Sequence, residues 1–279
     1  MLERLSNALG VSGNEGAVRA LIREAASPFG ETFTDTMGNL YVHKPGKGPR
    51  VMLCAHMDEV GMLVKGVHES GLLAYDSAGI DARTLVSKRV VIGQDRIIGV
   101  IGAKAIHLQT KEKFSKALKH KELYIDIGAK DKEDALKYVK IGDVIGFTTR
   151  FSPFGDGLMK GKALDDRLGC AALLELIKHD YACDLYAAFT VSEEVGLRGA
   201  RVAANRIAPE LALVLEGTTA NDMPDAQGHE CVTRLGDGPA ISFMDIGTVV
   251  KTPMLRALTG TAEKAGIPYQ LRRGTRGGN

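Results

Sequence analysis

The sequence predicts an α/β fold: a doubly wound mixed sheet with helices on both faces, interrupted by a small β-rich, barrel-like insertion. Three observations carry this. Apolar runs of strand length alternate with stretches of helical periodicity toward both ends of the chain. From about Gly66 to Phe154 the texture changes to short β-branched runs punctuated by Gly and Asp. The 279 residues are 44% hydrophobic and 25% charged, with 33 Gly and 9 Pro, which excludes a disordered, collagen-like or coiled-coil chain. Residues 1–65 and 155–279 are therefore expected to form a discontinuous α/β domain, and residues 66–154 the insertion.

The elements follow in order. Ser12-Gly13-Asn14-Glu15 reads as a capping box, after which Val18, Leu21 and Ile22 recur at helical spacing until Pro28 and Gly30. A polar, hairpin-like stretch leads to Val51–Ala55, a continuous apolar run suited to a strand covered on both faces. In the insertion, Arg89–Ile92, Ile97–Ile101, Leu123–Ile127 and Val144–Thr149 are the strand candidates. Asp166–His179 is apolar over much of a helical circumference, interrupted by Glu175 and Lys178. A strand at Asp184–Val191, a helix at Gly199–Ile207, strands at Leu211–Leu215 and Ala240–Met244, a helix at Met254–Ala265 and a strand from Tyr269 complete the alternation.

Charge and cysteine usage narrow the function classes. Lys plus Arg is 36 and Asp plus Glu is 34, a net charge of +2, so there is no electrostatic case for a nucleic-acid or membrane-surface partner. The Lys-rich stretch Lys111–Lys121 has one aromatic, Phe114, and reads as a solvated loop or helix face. Cys54, Cys170, Cys183 and Cys231 form no C-x-x-C pair, which fits a reducing compartment. The start, Met1-Leu2-Glu3-Arg4-Leu5, carries charge where a signal peptide needs an apolar core. No apolar stretch approaches the ~20 residues of a membrane span, and a cytoplasmic location is expected.

In open α/β sheets ligands collect at the carboxyl ends of strands. Val51–Ala55 ends in His56-Met57-Asp58, Leu185–Val191 leads through Ser192 to Glu193-Glu194, and Leu211–Leu215 ends in Glu216. Asp165-Asp166 precedes a helix. Each alone has a bland reading: a surface hydrogen bond for His56 and Asp58, a favourable charge at a helix start for Asp165-Asp166, solvated turns for the glutamates. Together they are hard to explain as decoration, because clustered carboxylates repel unless a cation neutralises them. One imidazole with several carboxylates suits Zn²⁺, Co²⁺ or Mn²⁺ rather than a thiolate site.

Three ordered blocks carry a resemblance: Ala55-His56-Met57-Asp58-Glu59-Val60-Gly61, Lys162-Ala163-Leu164-Asp165-Asp166-Arg167, and Val191-Ser192-Glu193-Glu194-Val195-Gly196-Leu197-Arg198-Gly199-Ala200. The chain resembles the tetrahedral, TET-type dinuclear-metal aminopeptidases, whose members also carry glutamyl, deblocking and, for some, endoglucanase names. The resemblance runs from the first helix to the last residue. It implies His56 as the imidazole ligand of one metal, Asp165 as the bridging carboxylate, Glu194 as a ligand of the second metal and Glu193 as general base. Asp58 resembles the carboxylate that orients His56, a role with clear physical sense. Glu216 takes the position of the remaining ligand of the first metal, where the family usually has Asp. The family carries a further histidine ligand beyond the Gly277-Gly278-Asn279 block, so the resemblance implies a C-terminally truncated chain with an incomplete second site. His43, His68, His107, His120, His179 and His229 fall outside the strand-end pattern.

Gly-x-Ser-x-Gly, His-Glu-x-x-His and Gly-x-x-x-x-Gly-Lys-type motifs do not occur. The expected function is a metallo-aminopeptidase using two divalent ions to hydrolyse N-terminal residues from short peptides with a free N-terminus. By resemblance it is a homo-oligomer of dimers that build a tetrahedral dodecamer. Two alternatives stand beside it: an inactive or regulatory subunit of the same fold, and a metal-independent glycoside hydrolase working through a carboxylate pair.

Overall fold

The computed structural model describes residues 1–111 and 116–273. The expectation about Phe114 and the Gly277-Gly278-Asn279 block lie outside them. The chain divides into two compact units, Met1–Leu215 and Glu216–Asn279.

The first unit opens with helices α1 (Leu2–Asn7) and α2 (Gly16–Ala26), followed by the hairpin β1 (Glu31–Thr34) and β2 (Leu40–Lys44). Strand β3 (Arg50–His56) precedes six strands that close into a barrel: β4 (Gly61–Val67), β5 (Leu73–Ala78), β6 (Arg89–Ile92), β7 (Ile97–Ala103), β8 (Leu123–Asp126) and β9 (Val144–Phe147). The short helix α3 (Lys132–Ala135) lies between the last two. The small hairpin β10 (Ser152–Phe154) and β11 (Leu158–Lys160) leads to α4 (Leu164–Leu176), β12 (Asp184–Thr190), α5 (Arg198–Ile207) and β13 (Leu211–Val214).

The main sheet has the order β1-β2-β12-β3-β13. β12 and β13 run parallel to β3, while β2 and β1 are antiparallel. This is the mixed sheet that the sequence predicts. One face packs Val18, Ile22, Cys170, Leu173, Leu174 and Ile177 against Leu53, Ala55, Leu185, Ala187 and Phe189. The other packs Ala203 and Ile207 against Tyr41, Met52, Cys54 and Ala188. Alternate residues of each strand thus enter opposite cores, and helices cover both faces as expected.

The barrel has its own core, from Met62 through Ile92 and Ile125 to Ile145. It approaches the α/β layers closely at Gly61, where a Cβ would lie 2.5 Å from both methyl groups of Val11. That approach requires glycine.

Two local expectations need correction. Ser12 does not cap α2: its hydroxyl donates to Asp58 instead, at 2.6 Å, and Glu15 accepts from the Gly13 amide at 2.7 Å. A tertiary partner has displaced the local one. The helix expected from Asp166 begins at Leu164, but Asp165 (φ −82°, ψ 107°) and Asp166 (φ −122°, ψ 39°) are non-helical, with a cis peptide bond between them.

In the second unit, β14 (Ala240–Ser242) and β15 (Gln270–Arg272) pair in parallel, and α6 (Thr252–Ala265) lies between them in sequence. α6 starts with a proline in its first turn, where the missing N–H costs nothing. Cys54, Cys170, Cys183 and Cys231 are all free thiols. No helix among the described residues is long and apolar enough to cross a membrane.

Candidate metal centre

The parallel register of β3 and β12 pairs His56 with Thr190, so both strands end at one edge of the sheet and release their next residues there. His56, Glu193 and Glu194 each present a potential ligand atom, and these atoms lie within 4.8 Å of one another. His56 is buried, and its Nε2 lies 3.1 Å from Asp165 Oδ1 and 3.8 Å from Glu193 Oε2. Its Nδ1 faces the Asp58 carbonyl at 3.1 Å and the Asp58 Oδ1 at 3.4 Å. Two acceptors around Nδ1 set the proton on that nitrogen, which turns the Nε2 lone pair toward the carboxylates. Lone pair against carboxylate is repulsive unless a proton or a cation lies between them.

Asp58 is wholly buried and organises this edge. Its Oδ1 accepts from the Glu193 amide at 2.9 Å, and its Oδ2 accepts from Ser12 Oγ at 2.6 Å and the Glu194 amide at 3.2 Å. Burial works against its charge, but the hydrogen bonds from His56, Ser12 and the Glu193 amide outweigh it and hold the carboxyl below the usual range. The neighbouring acids behave oppositely. Glu194 is pushed up to about 7, by burial first and by repulsion from Asp165, Glu193 and Asp58, with His56 acting against the rise. Burial also raises Glu193, again opposed by His56 and aided by Asp58 and Asp165. A donor set this short of positive charge fits a divalent cation, which favours the ionised forms. Asp165 keeps a side chain 62% exposed, so a ligand can reach it from solvent.

The structure thus brings His56, Asp58, Asp165, Glu193 and Glu194 together. Glu216 begins the second unit. It directly follows Leu215, whose amide donates to the Cys54 carbonyl at 2.8 Å.

Residues 38–279 match the family model described as M42 glutamyl aminopeptidase. The chain belongs to this family. It is 38% identical over 280 residues to a relative from Acetivibrio thermocellus that carries an inferred aminopeptidase name, covering 97% of this chain and 81% of that one. The crystal structure of the TET aminopeptidase of the marine sediment Thaumarchaeota archaeon SCGC AB-539-E09 superposes with a TM-score of 0.95 at 33% identity, covering 100% of this chain and 81% of the other. The Pyrococcus horikoshii TET1 peptidase, which assembles into a tetrahedron or a large octahedral shell, gives a TM-score of 0.86 at 33% identity, covering 99% and 84%. As an M42 member the protein is a metal-dependent aminopeptidase.

Several residues of the M42 signature blocks support the centre in ways that sequence reasoning missed. Asp166 Oδ2 accepts from the His56 amide at 3.1 Å, and its Oδ1 accepts from the Gly169 amide at 2.9 Å, tying the end of β3 to the first turn of α4. Arg167 is fully buried. It donates to the carbonyls of Met57 (2.8 Å), Ala8 (3.2 Å) and Leu5, and lies 3.3 Å from Glu59 Oε1. Glu59 also holds Lys162 Nζ at 2.7 Å and accepts from the Gly10 amide at 2.9 Å. These contacts clamp the two segments that carry His56 and Asp165. The one sequence-level signal was that charged residues fill the positions flanking the candidate ligands.

Proposed function

We propose that the centre, in the complete enzyme, uses two divalent ions, Zn²⁺, Co²⁺ or Mn²⁺, to remove N-terminal residues from peptides. The observation that carries this is the His56 Nε2 facing carboxylate oxygens of Asp165 and Glu193, beside a glutamate raised by burial and by its neighbours' charge. In this reading His56, Asp165 and Glu216 would hold one ion, and Asp165 and Glu194 would hold the other. Glu216 is assigned by its position directly after Leu215 and by the resemblance to the family pattern. When bound, the ions supply Lewis-acid polarisation of the scissile carbonyl and acidify the attacking water.

The chain's own residues do the rest. Glu193 accepts a proton from water as its oxygen bonds to the carbonyl carbon, then returns that proton to the leaving amine as the C–N bond breaks. Its half-buried setting raises its basicity toward neutral pH, which suits a group that must act as base and then as acid. Asp58 keeps His56 in one tautomer and holds the Glu193 and Glu194 amides. The excess of carboxylates attracts a free substrate ammonium group, which favours exopeptidase action over internal cleavage. Residues 66–154 form the insertion that shapes assembly, and the subunits pair into dimers and close into a tetrahedral dodecamer. The resemblance and the assembly of the Pyrococcus horikoshii TET1 peptidase support that architecture.

The test is Glu193→Gln in the metal-loaded enzyme. Metal content stays at the parental value, while turnover of aminoacyl-anilide substrates falls about 10²–10⁴-fold. Near-normal turnover would overturn the assignment of Glu193. Activity that no added Zn²⁺ or Co²⁺ elicits from the parent protein would favour an assembly subunit without catalysis.

A further inference from the structure

The segment from Val191 to Gly199 carries both acids between β12 and α5, and it is closed on itself. The Gly196 and Leu197 amides donate to the Glu193 carbonyl at 2.8 and 2.9 Å, and the Gly199 amide donates to the Val191 carbonyl at 3.0 Å. Val191 and Gly199 therefore form the neck of a loop with Glu193 and Glu194 at its tip. Asp58 grips the amides at the tip.

The neck is gripped by a residue that no strand-end motif includes. Asn39 is wholly buried immediately before β2. Its Oδ1 accepts from the Val191 amide at 3.0 Å, and its Nδ2 donates to the Gly199 carbonyl at 3.1 Å. An amide N–H can only donate and a carbonyl can only accept, so this pairing fixes the orientation of the Asn39 amide. Among side chains of this length only an amide offers one acceptor and one donor at those two points. The fit is tight: a Cβ on Gly199 would lie 2.5 Å from Asn39 Oδ1 and 2.3 Å from the Val191 carbonyl oxygen.

Asn39 is itself locked. Its Nδ2 also donates to Asp35 Oδ2 at 2.8 Å, and the Tyr41 hydroxyl donates to the same oxygen at 2.7 Å. Asp35 Oδ1 accepts the amides of Met37, Gly38 and Asn39 at 3.0, 2.9 and 3.0 Å. A buried side chain whose polar capacity is divided between the loop neck and Asp35 has little freedom to move.

We propose that Asn39, backed by Asp35 and Tyr41, is a positioning residue for aminopeptidase catalysis: it fixes the neck of the 191–199 loop and so sets where Glu193 and Glu194 stand relative to His56. It touches neither substrate nor metal and acts only through the loop. The proposal rests on the assignment of Glu193 and Glu194 given above. Small displacements of ligands and bases are costly in rate, and outer partners of metal ligands typically tune affinity or activity about 10–100-fold.

The experiment compares Asn39→Ala and Tyr41→Phe with the parent and with Glu193→Gln, all metal-loaded and shown folded by circular dichroism at the assay temperature. For Asn39→Ala, kcat is expected to fall about 10–100-fold with KM little changed, and chelator competition should show weakened metal binding. Tyr41→Phe removes one hydroxyl and should lower kcat about 2–10-fold in the same pattern. It decides the matter should Asn39→Ala not fold. A folded variant with a lowered melting temperature but parental kcat, KM and metal affinity would make the clip purely structural and overturn the proposal. If Glu193→Gln is inactive in that case, the positioning role alone has failed. If Glu193→Gln stays active, the assignment of the acid pair has failed instead.

Discussion

Lys162 Nζ lies 2.7 and 2.8 Å from the two carboxylate oxygens of Glu59, and both side chains are almost wholly withdrawn from solvent. Arg167 approaches the same carboxylate at 3.3 Å, so one buried anion serves two buried cations. Removing one partner of such a group leaves charge uncompensated, which typically costs about 3–5 kcal/mol. Glu59→Gln strands both cations and should reach that range in urea denaturation. Lys162→Met leaves Glu59 with Arg167 and the Gly10 amide and should cost less. If Lys162→Met proves the more damaging change, the carboxylate is not the hub of the cluster.

Asp58→Asn probes the other side of the centre. The four groups around the carboxylate, Ser12 Oγ, His56 Nδ1 and the amides of Glu193 and Glu194, are all arranged as donors. An amide presents one acceptor oxygen, so at least one contact becomes donor against donor. Metal affinity, read by competition with a chelator, is expected to fall about 10–100-fold. Unchanged affinity would show that the Asp58 backbone carbonyl, the nearer partner of His56 at 3.1 Å, suffices to orient the ring.

The edge of the sheet was legible because parallel strands have a direction. His56, Glu193 and Glu194 each follow an apolar run, and the carboxyl ends of such runs converge without any knowledge of tertiary contacts. Asn39, Glu59, Lys162 and Arg167 were not legible as structural parts. Their partners lie up to 162 residues away in the chain, and a buried charge looks like a surface charge until its counter-charge is known. Ser12 illustrates the same limit. Its spacing to Glu15 satisfies the capping rule, but the stronger acceptor, ionised Asp58, is 46 residues distant.

The barrel gives a prediction about autonomy. Its buried core residues all lie between Met62 and Ile145, Ala135 of α3 among them, with no contribution from the main sheet or the helices that cover it. A closed barrel has no strand edge in need of a partner. A fragment spanning residues 60–148 is therefore expected to be a soluble β-protein that unfolds cooperatively in urea. Loss of the cover that Val11 gives Gly61 should weaken it without abolishing folding. A fragment that binds hydrophobic dye and melts without cooperativity would show that the α/β layers are part of its folding unit.

The pH dependence of stability can be read at Asp35. Burial disfavours its charge, but hydrogen bonds from Tyr41, the Asn39 side chain and the amides of Asn39 and Gly38 outweigh that and lower its pKa from the ordinary 3.8. The unfolded chain therefore binds the proton more readily than the folded one, and stability rises with pH across this interval. The contribution is fully present above about 3.8 and is lost as the pH falls through the lower folded value. Asp35→Asn removes the charge and half of the acceptor capacity while keeping the shape. It should destabilise by about 1–2 kcal/mol near neutral pH, a figure reduced from that of a fully buried charged cluster because the carboxyl is partly exposed. Urea midpoints of the parent and the variant should converge as the pH is lowered below the ordinary Asp range. A gap that stays constant down to acid unfolding would mean that the clip is held by its geometry alone, with no share from the Asp35 charge.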